Sequence, residues 1–165
     1  MIKKAIFLDR DGVINHKGGP YYIYKKEDFI LNDGIIPALS FFQEKGYLLI
    51  VITNQGGVAK GLFTEQDVEK IHEYMIDILK IHGIKLTAVY YCPHHPDVSP
   101  CNCRKPGTLL FEKAIEKYKI DPKASWMIGD SNIDIEAAEK LGIKCILIPE
   151  NGNLMDLVVK PGLIS

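Results

Sequence analysis

The chain has 165 residues, 47% of them hydrophobic, enough to bury a substantial core in one domain and too apolar for a disordered chain. Its 20 Lys and Arg and 21 Asp and Glu are spread along the sequence for a formal net charge of −1, so no basic arm or stripe points to a nucleic-acid partner. No apolar run approaches membrane-spanning length, and Met1-Ile2-Lys3-Lys4 leads directly into the first strand with no room for a signal peptide; a cytoplasmic monomer without membrane partners is expected.

Ala5-Ile6-Phe7-Leu8 is a short apolar run closed by a turn signal and reads as a buried parallel strand. It ends in Asp9-Arg10-Asp11-Gly12. Side chains alternate along extended backbone, so Asp9 and Asp11 project together, and Gly12 lets the chain turn sharply away. Open α/β sheets bind ligands beyond the carboxyl ends of their strands, where two close carboxylates repel unless a cation or proton sits between them. Ile35–Lys45 reads as a helix after Asp33-Gly34. A second strand, Tyr47–Ile52, ends in Thr53-Asn54-Gln55-Gly56-Gly57, whose hydroxyl, amides and glycine-freed N–H groups suit anionic oxygens.

Thr64-Glu65-Gln66-Asp67 has the form of a capping box opening a helix toward His82, with His72 and His82 expected on its surface. Leu86–Tyr91 reads as a third strand and Thr108–Tyr118 as a helix. Arg104-Lys105, just before that helix, offer two cations to a phosphate. A fourth strand, Trp126–Ile128, runs into Gly129-Asp130-Ser131-Asn132-Ile133-Asp134, which sets one carboxylate at a strand end and another about a turn later, a pair suited to a divalent cation. Ile135–Leu141 is a helix closed by Gly142, and Lys144–Ile148 is the last strand. The segment after Pro149 carries no clear signal. Alternating strands and helices predict an α/β fold with a doubly wound parallel sheet, in one domain.

Cys92-Pro93-His94-His95-Pro96-Asp97-Val98-Ser99-Pro100-Cys101-Asn102-Cys103 packs three cysteines and two histidines into one loop. A cytosolic chain has little use for disulfides, whereas thiolates and imidazole suit a closed tetrahedral zinc site. Cys92, His94, Cys101 and Cys103 are the expected ligands, with His95 competing for the histidine place. Four protein ligands leave no position for substrate, so the zinc is expected to be structural and to fix the loop that leads into Arg104 and Lys105. Cys145 lies in an apolar strand and reads as core.

The ordered set Asp9/Asp11, Thr53, Lys105 and Asp130/Asp134 resembles the four motifs of the haloacid dehalogenase superfamily of phosphohydrolases. That resemblance implies a Rossmann-like fold with Asp9 as the nucleophile that becomes an aspartyl phosphate and Asp11 as general acid, then base. It further implies magnesium held by Asp9, the Asp11 carbonyl and Asp130. Asp134 could hold the metal through water, orient Lys105 or cap its helix. The cysteine–histidine loop, Thr53-Asn54-Gln55 and Cys-Arg-Lys-Pro together narrow the resemblance to the branch of histidinol-phosphate and heptose-bisphosphate phosphatases. The stretches Asn54–Gly61, Tyr90–Pro96 and Gly19–Ile23 look more like the heptose enzymes, which remove the 7-phosphate of D-glycero-D-manno-heptose 1,7-bisphosphate in nucleotide-heptose and lipopolysaccharide synthesis. The short step from His94 to Cys101 looks more like the histidinol-phosphate enzymes of histidine synthesis.

By the same resemblance, Asn54, Gln55, Arg104 and Ser131 are expected to bind a small phosphomonoester. Ser131 departs from the lysine that familiar heptose enzymes carry there, and Arg104 is the residue placed to compensate. The spacings from Asp11 to Thr53 and from Thr53 to Lys105 leave no room for a large cap domain. An open site is therefore expected, lined by Asn15–Tyr24 and the zinc loop, with Tyr21 and Tyr22 beside the substrate and Lys17 and Lys60 available to a distal phosphate.

Overall fold

A computed structural model describes all residues, Met1–Ser165. Five strands, β1 (Ala5–Leu8), β2 (Leu48–Asn54), β3 (Ala88–Cys92), β4 (Trp126–Gly129) and β5 (Lys144–Leu147), form one parallel sheet in the order β3-β2-β1-β4-β5. Four helices are interleaved with them: α1 (Ile35–Glu44), α2 (Glu65–Ile81), α3 (Leu109–Tyr118) and α4 (Asn132–Glu139). The chain winds outward from β1 to β3, then crosses back to β4 on the other side of β1. Strand direction stays constant while the winding reverses, so the carboxyl ends of β1, β2 and β4 open onto one crevice.

The alternation within each strand divides the core. Ile6 and Leu8 of β1 and Leu49 and Val51 of β2 face one layer, built by Ala38, Leu39 and Phe42 of α1 and Ile71, Met75 and Leu79 of α2. Ala5 and Phe7, with Ile50 and Ile52, face the other, built by Leu110, Phe111 and Ala114 of α3 and Ala137 and Ala138 of α4. Both faces of the sheet are thus covered by helices, as a parallel sheet requires. No large cap is present, and no helix is long and apolar enough to cross a membrane.

Two local features differ from expectation. Helix α4 starts at Asn132, earlier than the predicted Ile135, because Ser131 serves as its N-cap, its hydroxyl accepting from Ile133 N–H at 3.4 Å. The tail after Pro149 is also ordered: Leu154, Val158 and Ile164 join the layer of α1 and α2, with a short π-helical turn at Met155–Val159. The capping box is formed as expected, Asp67 N–H donating to the Thr64 hydroxyl and Thr64 N–H to the Asp67 carboxylate.

Candidate active site

Three strand ends and one loop supply the site. Asp9 leaves β1 with Oδ1 accepting from Arg10 N–H at 2.9 Å and from Lys105 Nζ at 3.0 Å. Gly12 then turns the chain at φ 87°, and a Cβ there would collide with the Asp130 carboxylate. Only glycine lets the β1 and β4 loops come this close.

Asp11 is held on both oxygens. Oδ1 accepts from Arg10 Nε at 3.0 Å, Arg10 Nη2 at 2.8 Å and Asn15 Nδ2 at 2.9 Å, and Oδ2 from Gln55 Nε2 at 3.2 Å. Burial alone would raise its pKa, but the Arg10 guanidinium and the Asn15 and Gln55 amides outweigh it and hold the carboxyl below its ordinary value. Gln55 was expected to meet substrate oxygens. Instead it is buried outside the cavity lining, its amide taken up by Asp11 and by Thr53 Oγ1 at 3.0 Å.

Asn54 likewise spends its amide on a neighbour. Its amide brackets the backbone of Lys105, accepting the N–H at 3.0 Å and donating to the carbonyl at 3.2 Å, while still lining the cavity. Lys105 is buried; its ammonium donates to Ile52 O at 2.7 Å and pairs with Asp9 at 3.0 Å and Asp134 at 2.7 Å. Burial disfavours that charge, but the two carboxylates outweigh the penalty and raise the lysine pKa. Ser131 rather than Asp134 caps α4; Asp134 pairs with Lys105 through Oδ1, and its Oδ2 stays open to a metal. Gly129 makes room for it, because a Cβ there would overlap the Asp134 side chain.

Asp9, Asp130 and Asp134 bring carboxylate oxygens within 4.8 Å of one another. Asp130 Oδ1 and Asp134 Oδ2 are buried without a hydrogen-bond partner. Burial, only partly offset by Lys105 and reinforced by the neighbouring carboxylates, pushes Asp9 up to about 7. Crowded, orphaned oxygens of this kind fit a hard divalent cation, which prefers oxygen ligands and keeps several waters.

The cysteine–histidine loop closes on itself. Ligand atoms of Cys92, His94, Cys101 and Cys103 lie within 4.8 Å of one another; His94 presents Nδ1, 3.1 Å from Cys103 Sγ and 3.5 Å from Cys92 Sγ. All cysteines are free thiols. Burial pushes the Cys92 thiol well above its ordinary range, whereas at Cys101 burial is outweighed by the Arg104 backbone N–H and the neighbouring thiols, which lower it to about 7. Holding the whole set as thiolates calls for a shared cation. The donor set fits a closed four-ligand zinc site. His95 lies outside this cluster and lines the cavity instead, its Nδ1 accepting from Asp97 N–H at 3.1 Å. Register explains why the loop matters to the site: the β2–β3 ladder pairs Asn54 with Cys92.

The resulting cavity of about 220 Å³ is lined by Asp9, Asp11, Thr53, Lys105, Asp130 and Asp134, with Arg104, Ser131, Lys17, Tyr21 and Tyr22 around them. Arg104 Nη1 donates to His94 O at 3.2 Å, tying it to the cysteine–histidine loop. Ser131 accepts at its hydroxyl as a helix cap and keeps its own proton to donate. Tyr22 packs edge-on against Phe63 while Tyr21 is exposed at the rim. Lys60 is absent from the lining and lies 3.9 Å from Asp97. Cys145 is half-buried and packs against the α3/α4 layer.

The contacts of Arg10 and Asn15 with Asp11 are new, and His95, a competing zinc ligand by sequence, belongs to the cavity wall. The signal for Arg10 was its place between two acids at a strand end, where a fixed guanidinium can satisfy one of them. His72, expected on the helix surface, is buried, its Nε2 3.1 Å from Arg10 Nη1 and its ring edge-on to Tyr91. Burial, together with Arg10 and against the weaker pull of Asp11, lowers its pKa to about 3 from 6.5. The unfolded chain then takes up a proton below pH 6.5 that the folded one refuses, so stability is complete above 6.5 and falls as the pH drops toward 3, by up to ~1.4 kcal/mol per pH unit. His72→Gln, which keeps an acceptor for Arg10, should flatten the denaturant midpoint between pH 6.5 and 4.5. An unchanged slope would assign the acid lability elsewhere.

A family model described as HAD-hydrolase-like matches residues 102–156. The D-glycero-beta-D-manno-heptose-1,7-bisphosphate 7-phosphatase of Haemophilus ducreyi is 42% identical over 92% of this chain and 86% of its own length. The D-glycero-alpha-D-manno-heptose-1,7-bisphosphate 7-phosphatase of Photorhabdus laumondii is 40% identical over 88% of this chain and 82% of its own. The crystal structure of D,D-heptose 1,7-bisphosphate phosphatase from B. bronchiseptica, complexed with magnesium and phosphate, superposes with a TM-score of 0.82 at 31% identity, covering 98% of this chain and 89% of that one.

Proposed function

The chain belongs to the D-glycero-D-manno-heptose-1,7-bisphosphate 7-phosphatase family of HAD-like hydrolases, and from that premise we propose that it is a magnesium-dependent phosphomonoester hydrolase acting on the 7-phosphate of that sugar bisphosphate. The observation that carries the reading is the convergence of Asp9, Asp11 and Lys105 on one cavity at the carboxyl ends of β1 and β2. Asp9, Asp130, the Asp11 carbonyl and, beside them, Asp134 would hold the magnesium, which supplies the positive charge that lets a phosphate dianion approach a carboxylate.

Lys105 and the Arg10 N–H occupy Asp9 Oδ1, leaving Oδ2 as the attacking oxygen. Attack forms the Oδ2–P bond and breaks the bond between phosphorus and the sugar oxygen; the departing alkoxide takes a proton from Asp11. Asp11 then removes a proton from water, whose oxygen attacks the same phosphorus, and Asp9 is released with inorganic phosphate. A general acid must enter protonated, and the Arg10, Asn15 and Gln55 contacts favour the carboxylate. The incoming phosphate charge is what would shift Asp11 toward its acid form. Gln55→Ala, which frees Asp11 Oδ2, is expected to lower kcat about tenfold with KM nearly constant; equal changes in both would assign Gln55 a binding role.

Zinc at Cys92, His94, Cys101 and Cys103 would be structural. Within this reading the 165 residues act as one domain, a cytoplasmic monomer with a small-molecule substrate and no nucleic-acid or membrane partner. Phosphate release with magnesium from both anomers of heptose 1,7-bisphosphate, from histidinol phosphate and from other sugar phosphates tests it. A hundredfold preference in kcat/KM for the heptose, about 2.7 kcal/mol of discrimination, is expected. The same preference for histidinol phosphate would move the enzyme to histidine synthesis.

A further inference from the structure

The site holds two lysines by the same device. Asn54 brackets the backbone N–H and carbonyl of Lys105, and Asn151 does the same for Lys17, accepting its N–H at 2.7 Å and donating to its carbonyl at 2.7 Å. Asn151 N–H also donates to Gly12 O at 2.8 Å, so the bracket is continuous with the turn that follows Asp11. At φ 62° Asn151 adopts the left-handed conformation that asparagine tolerates better than most residues. A tail segment 134 residues away in sequence therefore fixes where Lys17 leaves the backbone.

The ammonium of Lys17 is less committed. It lies 3.6 Å from Glu150 and 3.9 Å from Asp130 and is 41% exposed. Such long, partly solvated pairs contribute little and are readily exchanged for a better anion. Among the residues lining the cavity, only Lys17, Arg104 and Lys105 carry a permanent positive charge. Lys105 is taken up by Asp9 and Asp134. Arg104 stands on the side of Gly56 and His95, whereas Lys17 stands on the side of Asp130 and Ser131, where the wall offers no other cation.

Resting on the phosphatase reading, we propose that Lys17 binds the second, non-reacting anionic group of a bisphosphorylated substrate and that Asn151 is the residue that positions it. The backbone bracket sets the reach of the side chain, and the weak ion pairs leave its ammonium free to engage the ligand.

The test uses hydrolysis of p-nitrophenyl phosphate as the signal and heptose 1,7-bisphosphate and heptose 7-phosphate as competing ligands. The full-length protein is compared with Lys17→Met, Lys17→Arg, Asn151→Gly and the Lys17→Met/Asn151→Gly double variant. Asn151→Gly removes the amide while accommodating the positive φ. The wild-type Ki is expected to favour the bisphosphate at least tenfold, Lys17→Met to abolish most of that preference and Lys17→Arg to restore it. Asn151→Gly should lose at least threefold of the preference alone and nothing further in the Lys17→Met background, a pattern that a general loss of stability would not give. Equal Ki values in the wild type, a preference that survives Lys17→Met, or additive losses in the double variant would overturn the inference. No hydrolysis of any ester by the wild type would overturn the phosphatase reading, and the inference with it.

Discussion

Asp9→Asn should reduce kcat at least ~10⁴-fold, about 5.5 kcal/mol of lost transition-state stabilisation, while the protein stays folded. The substitution keeps an oxygen for Lys105 and Arg10 N–H but removes the carboxylate proposed to attack phosphorus. It also removes one of three carboxylates crowded within 4.8 Å, which relieves repulsion. The melting temperature is therefore expected to hold or rise even as activity disappears. Rapid quench with intact-mass analysis gives the second readout: a phosphate adduct on the wild type during turnover, and none on the variant. Substantial turnover by Asp9→Asn would remove Asp9 as the nucleophile.

Cys103→Ser is expected to cost both stability and catalysis, through one loop. Structural zinc sites bind with apparent free energies of ~10–16 kcal/mol at neutral pH, and the exposed stretch Pro96–Pro100 between the proposed ligands has no apolar packing to replace that. Cys103 directly precedes Arg104 and Lys105. The first is tied to His94 O and the second is bracketed by Asn54, which pairs with Cys92 across the sheet. Freeing the loop should lower kcat/KM at least ~100-fold, about 2.7 kcal/mol, with loss of bound zinc and a lower melting temperature. Cys145→Ser is the control. Cys145 lies outside the cluster, its thiol directed at the Ile135 and Ile143 carbonyls, so zinc content should not change. Full activity of Cys103→Ser after zinc loss would show that the loop does not fix Lys105.

Features set by local pattern were readable in the sequence. Apolar runs of strand length, the Asp9/Asp11 spacing, the cysteine–histidine loop and the Thr64 cap each have a physical signature within a few residues, and each lies where it was expected. What escaped depends on partners far along the chain. His72 stands on an amphipathic helix where a polar residue reads as solvent-facing, yet Arg10 gives it a buried partner 62 residues away. Gln55 carries the donors suited to a phosphate loop, but Asp11 reaches it first. The tail had no period to betray it, because its apolar residues pack singly against α1 and its Asn151 acts on Lys17 rather than on a neighbour.

The most direct test follows the ³¹P spectrum of heptose 1,7-bisphosphate incubated with the purified, zinc-loaded protein and magnesium. Loss of the 7-phosphate resonance with growth of inorganic phosphate, and an intact 1-phosphate, is the expected result. Release from the 1-position, or no magnesium-dependent change, would contradict it.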